Sequence, residues 1–207
     1  MWKEAEDFLL RDKKIAPLVI KWGSCRIKKR PQKYYFEDLV ASITEQQLSG
    51  KASEAIFKRV RTLLKKNSSS LLSPIAPKDV EKVKEEELRA CGISWSKAKY
   101  VKDLGEKVSR GEVNLKRLGT LSDEEVVTEL IKVKGVGRWT AEMFLMFTLA
   151  RPDIFPLDDL GIRKAMEKMF GKKLDKPEIL KKSTNWKQFR TVASWYLWRS
   201  LETTKLI

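Results

Sequence analysis

The sequence predicts an all-α fold, and three observations carry that prediction. Apolar residues recur at three- and four-residue spacing through most of the chain. One segment opens on a capping-box pattern, and the alternating apolar runs with hairpin turns that mark strands are hardly found. In chain order, Phe36, Leu39, Val40 and Ile43 share one helix face, and Ile56, Val60, Leu63 and Leu64 place another over 53–66. Asn67 to Ser70 is a low-complexity stretch and is expected to be a loop. Residues 77–90 form the next expected helix, ended by Gly92, and 96–110 the one after. Ser122-Asp123-Glu124-Glu125 opens a helix through Val126, Leu130 and Ile131. Gly135 and Gly137 break the pattern, an apolar helix follows over about 138–149, and helices over 159–170 and 186–201 close the chain.

Composition narrows the chemistry. The 207 residues suit one compact domain or two small lobes, and 42% hydrophobic with 34% charged residues is a globular balance. With no histidine, neither a Ser-His-Asp triad nor an imidazole metal site can be built. Two distant cysteines, Cys25 and Cys91, cannot hold an iron–sulfur cluster and are expected to be reduced. The start lacks a basic region followed by an apolar core, so no signal peptide is expected, and the apolar stretch 143–150 is too short to span a bilayer. Forty-three Lys and Arg against 28 Asp and Glu leave a formal charge of +15. That charge points to nucleic acid first and an anionic membrane surface second, and a generally basic proteome would also produce it.

The most informative segment is Val133-Lys134-Gly135-Val136-Gly137-Arg138-Trp139-Thr140-Ala141, set between two helices. Two glycines two apart make positive φ available at each. Their amides, with those opening the next helix, can converge on a phosphate oxygen aided by the helix dipole. An ordinary tight helix–helix turn uses the same residues.

Lys134 to Ala141 resembles the hairpin of the helix-hairpin-helix DNA glycosylases. Beyond it, Phe155-Pro156-Leu157-Asp158-Asp159-Leu160-Gly161-Ile162-Arg163 stands where that superfamily carries an essential aspartate. Leu88 to Ser94 with Lys97-Ala98, Trp186 to Arg190 leading into 193–199, and Ser42 to Ser49 are similar to the DNA-3-methyladenine glycosylase II branch. The resemblance implies a two-lobed helical fold without the extra N-terminal β domain of some relatives. One lobe is 37–150, with the helix-hairpin-helix at about 124–149, and the other combines 1–36 with 151–207.

The resemblance also implies an activity: flipping an alkylated base out of double-stranded DNA and cleaving its N-glycosidic bond, as in base excision repair. Asp159 is the implied catalytic carboxylate, at the N-cap of the next helix; a capping role alone is the alternative, and for Asp158 the alternative is preferred. Trp139, Trp198, Met143 and Gln46 are the implied pocket for the flipped base. Lys134, Gly135, Val136, Gly137, Arg138 and Thr140 are the implied DNA contacts, and Gln47 the wedge that fills the gap. Relatives that also cut the strand carry a lysine where Trp139 stands, so the resemblance implies a monofunctional enzyme. No metal or organic cofactor is expected for catalysis, and a monovalent cation at the hairpin is implied by the family. A monomer without membrane attachment is expected, in the cytoplasm of a prokaryote or the nucleus of a eukaryote. The competing readings are a non-enzymatic DNA-binding module and a glycosylase/lyase for oxidised or mismatched bases.

Overall fold

A computed structural model describes residues 1–47, 50–66 and 72–202. The expected loop at Asn67 to Ser70, and Leu48 and Ser49 of the early motif, lie outside the described residues. The helices in chain order are α1 (Lys3–Leu9), α2 (Ala16–Trp22), α3 (Tyr35–Glu45), α4 (Gly50–Lys65), α5 (Pro77–Glu81) and α6 (Glu85–Ala90). They continue as α7 (Trp95–Ser109), α8 (Asp123–Leu130), α9 (Arg138–Phe147), α10 (Leu160–Phe170), α11 (Lys176–Ser183) and α12 (Arg190–Arg199). No strand occurs among the described residues.

The chain divides into two compact units, 30–144 and 1–29 with 145–207. The divisions fall six or seven residues before the expected lobe boundaries at 36/37 and 150/151. Side-chain bonds account for the earlier break: Trp2 Nε1 donates to the Ile27 carbonyl at 2.8 Å, whereas Arg30 pairs with Asp38 on α3 at 3.2 Å. In α9, Phe144 meets Tyr35 edge-on at 5.4 Å, while Phe147 lies 5.8 Å from Trp198.

In the 30–144 unit, Ser122 caps α8 as its sequence predicts, its hydroxyl accepting from the Glu125 amide while Glu125 accepts from the Ser122 amide at 2.7 Å. The expected single helix over 77–90 is instead two. Lys102 Nζ on α7 donates to the carbonyls of Val80 and Val83 at 2.8 Å each and so caps α5 from outside. The Glu87 carboxylate then accepts from the Lys84 amide at 2.9 Å and starts α6 afresh.

This unit also buries an ion pair. Lys65 Nζ lies 3.2 Å from Asp79 Oδ2 and donates to Ser73 Oγ at 2.7 Å, with both charged side chains under 5% exposed. Removing one partner strands the other charge in the interior, which costs about 3–5 kcal/mol. Lys65→Met is therefore expected to lower the denaturation midpoint markedly, and Lys65→Met combined with Asp79→Asn to lower it less. Urea titration of the three proteins checks this; equal losses would remove the pairing argument.

In the other unit, Leu9, Ile15, Ile162, Met166, Trp186 and Tyr196 form the centre of one apolar core. Two of its polar tips are bonded: Trp186 Nε1 donates to Asp12 at 2.9 Å and Tyr196 Oη to the Gly23 carbonyl at 2.7 Å. Cys25 and Cys91 are free thiols, and burial pushes Cys25 up to about 11, so it is protonated at neutral pH.

Candidate active site

The hairpin between α8 and α9 is built by contacts from α7. Gly135 adopts φ +78°, and a Cβ there would lie 2.0 Å from Cδ2 of the Tyr100 ring, so the backbone rests directly on that ring. The Lys134 amide donates to Asp103 Oδ2 at 2.8 Å, and Asp103 also pairs with Lys107 at 3.1 Å. Val136 is buried and its amide closes the turn on the Val133 carbonyl at 3.1 Å. Those two bonds leave the amides of Gly135, Gly137 and Arg138 without a hydrogen bond among the described residues.

One expectation for this segment changes, and two further residues of it are placed. Gly137 does not adopt a positive φ, and a Cβ on it would meet nothing within 4 Å, because the turn has already been made at Gly135. The Thr140 side chain is buried, and its hydroxyl accepts from Gln46 Nε2 at 3.1 Å rather than facing solvent. Arg138 is paired with Glu124 and, at 3.3 Å, with Glu142, and its bond to Glu124 holds that carboxyl below its usual range.

Gln46, which follows α3, is bonded to the same hairpin. Gln46 Nε2 donates to the Gly135 carbonyl at 2.9 Å as well as to Thr140, so both amide hydrogens are engaged at the hairpin. Lys97 Nζ donates to the carbonyls of Thr44 at 2.9 Å and Gln46 at 2.6 Å, and burial lowers its pKa. Gln47 follows with φ +58° and is exposed. On α9, Trp139 is 38% exposed and Met143, half-buried, stands one turn further along the same helix face.

In the other unit, Asp159 caps α10. Its Oδ1 accepts from the Ile162 amide at 2.8 Å and from Trp198 Nε1, also at 2.8 Å. Gly161 makes this approach possible: a Cβ there would lie 3.0 Å from both Asp159 Oδ1 and Trp198 Cδ1. The incoming strap is pinned to the start of α12, where Arg190 grips Asp153 at 2.7 and 2.8 Å and Thr191 Oγ1 accepts from the Ile154 amide at 2.9 Å. Helix α12 thus fixes the aspartate's strap at one end and its carboxylate, through Trp198, at the other. Asp158, by contrast, is exposed and pairs with Lys176 at 2.5 Å.

Residues 40–189 match the HhH-GPD superfamily of base excision DNA repair proteins. The chain belongs to that superfamily. DNA-3-methyladenine glycosylase 1 of Schizosaccharomyces pombe is 37% identical over 176 residues, covering 84% of this chain and 73% of the relative. An alkylbase DNA glycosidase-like protein of the same yeast is 33% identical over 202 residues, covering 96% and 93%. A solved structure of S. pombe 3-methyladenine DNA glycosylase in complex with abasic DNA superposes with TM-score 0.86 at 33% identity, covering 99% of this chain and all of the other.

Within the HhH-GPD frame, the matched span contains the α3–α4 connection, the hairpin and Asp159, while Trp198 lies beyond it. The roles of Tyr100, Asp103 and Gly161 are the parts that sequence reasoning missed. A signal existed for the first two. Lys97, Tyr100, Asp103 and Lys107 recur at helical spacing along α7, a mixed polar and aromatic stripe where a solvated face would be plainly charged. Among the described residues no helix is long and apolar enough to cross a membrane, and no cluster of three acidic or cysteine side chains could hold a metal ion.

Proposed function

We propose that this protein is a monofunctional DNA glycosylase that extrudes alkylated purines of the 3-methyladenine and 7-methylguanine type from duplex DNA and hydrolyses their N-glycosidic bonds. The observation that carries this reading is the Asp159 carboxylate, held at a helix N-cap by the Ile162 amide and the Trp198 indole within a superfamily of base excision repair proteins. A carboxylate fixed in this way can stabilise the cationic, oxocarbenium-like sugar as the bond breaks, and can orient the attacking water. The C1′–N bond electrons pass to the cationic base, which leaves neutral. Water adds to C1′ and gives up its proton, and an abasic site remains. Because the leaving group needs no protonation, a chain without histidine can run the reaction.

Trp139 and Trp198 offer aromatic faces to a cationic purine, an attraction of about 0.5–2 kcal/mol. Met143 stands beside Trp139 on α9 and widens the apolar surface. The free amides of Gly135, Gly137 and Arg138 supply a phosphate contact that reads no sequence, and Lys134, Val136 and Thr140 shape that turn. No metal or organic cofactor takes part. A monovalent cation at the hairpin would rest on turn carbonyls such as those of Val133 and Gly135. Each accepts one hydrogen bond and keeps a second lone pair, so the donor chemistry fits and the ion would brace the turn.

The test is base release from duplexes carrying 3-methyladenine, 7-methylguanine, ethenoadenine or hypoxanthine in turn, with borohydride added in a parallel set. Release of the cationic methylated bases without a trapped protein–DNA adduct is expected. A borohydride-stable adduct would contradict the monofunctional assignment, and no release from any lesion would leave only a DNA-binding module.

A further inference from the structure

Helix α7 carries a stripe with one common destination. Its members at 97, 100, 103 and 107 fall on one face, and each reaches the hairpin or the α3–α4 connection. Lys97 holds the end of α3 through the Thr44 and Gln46 carbonyls. The Tyr100 ring lies under Gly135, Asp103 takes the Lys134 amide, and Lys107 donates to the Lys132 carbonyl. Gln46 closes the circuit by donating directly from the connection to the Gly135 carbonyl and to Thr140. Gln46 is therefore fastened at its carbonyl by Lys97 and at its side chain by the hairpin. The next residue, Gln47, is held exposed in a left-handed backbone conformation that a non-glycine residue keeps only when its neighbours enforce it.

We infer that Lys97 and Gln46 are positioning residues that lock the end of α3, through Gln46 and Gln47, to the phosphate-binding hairpin, so that gripping the backbone and filling the gap beside an extruded base are one coupled act. The inference rests on the glycosylase reading for its purpose, though its geometry does not. In this arrangement Gln46 serves as the brace, and Gln47, the implied wedge, is the exposed residue that follows it. The ammonium of Lys97 suits the task because it sits at the C-terminal end of α3, where carbonyl oxygens converge and a positive charge is favoured. A methionine of similar reach would leave both carbonyls without that donor. An arginine would keep the charge and the donors.

The experiment compares wild type, Lys97→Met, Lys97→Arg and Gln46→Leu by fluorescence anisotropy on two duplexes that differ only in one tetrahydrofuran abasic analogue. Single-turnover release of 7-methylguanine and a thermal melt accompany each protein. The intact duplex reads the hairpin's grip, and the ratio of abasic to intact affinity reads gap filling without any bond being broken. Wild type is expected to prefer the abasic duplex. Lys97→Met and Gln46→Leu should keep intact-duplex affinity within about threefold, lose most of the preference, and release base about ten- to a hundredfold more slowly. Lys97→Arg should keep the preference. A preference retained by Lys97→Met, or intact and abasic affinities falling by the same factor, would overturn the inference. If wild type prefers the abasic duplex and the two variants lose that preference, but wild type releases no methylated base, the excision reading falls and the coupling stands. If wild type releases base without any such preference, the coupling falls and the excision reading stands.

Discussion

Asp159→Asn is expected to abolish base release from methylated duplex DNA while leaving the protein folded and bound to the duplex. The substitution is a clean one because of how the carboxylate is held. Oδ1 accepts from the Ile162 amide and from Trp198 Nε1, and an asparagine carbonyl oxygen can accept both bonds in the same place. Asparagine is also as good an N-cap as aspartate, so α10 should start where it does now. At Oδ1 the substitution removes negative charge and keeps both bonds. Charge aimed at a developing cation is worth most in the transition state, and deleting one such preorganised group costs on the order of 100- to 1000-fold in rate. Single-turnover release should fall by at least that factor while anisotropy on the same duplex changes little. Asp159→Ala serves as the contrast, since it also removes the cap, at about 1 kcal/mol of stability. Release by Asp159→Asn within tenfold of wild type would remove the carboxylate from the mechanism.

What could be read in the sequence divides by the distance over which each feature is determined. Ser122 with Glu125 and Asp159 with Ile162 are caps spanning three residues, so their positions were legible from local spacing alone. The break between α5 and α6 was not, because its cause is Lys102, a side chain from the next long helix that takes the carbonyls ending α5. Trp198 illustrates the same limit within the candidate site. The family resemblance marked it as a face for the base, but its indole nitrogen is bonded to Asp159, 39 residues away. Gln46 and Thr140 meet across 94 residues, a pairing that no periodicity reports. Helices α1, α2 and α11 are short, at seven or eight residues each, too few turns for an apolar stripe to stand out.

The two hairpin glycines look equivalent in sequence and are expected to behave very differently. At Gly135 the backbone has φ +78°, where an alanine costs about 1–2 kcal/mol, and its Cβ would overlap three Tyr100 ring atoms at 2.0–2.4 Å. Either the ring leaves its place under the turn or the turn lifts away, adding about 1–3 kcal/mol of overpacking strain. Gly135→Ala should therefore lose both stability and duplex affinity, since the displaced turn carries the unbonded amides. At Gly137 the backbone is ordinary and a Cβ meets no atom within 4 Å, so Gly137→Ala should change stability by no more than about 0.5 kcal/mol. Any loss of DNA affinity at Gly137 would then come from the methyl group standing between the turn and a phosphate. Urea denaturation with anisotropy on two unrelated duplex sequences separates these effects. Adding Tyr100→Ala to Gly135→Ala should recover part of the lost stability, because the clash is shared by the pair. An unchanged midpoint for Gly135→Ala would contradict the geometry of the turn. An affinity loss confined to one of the two sequences would mean that the turn touches bases, since a contact to phosphate alone weakens binding to every duplex alike.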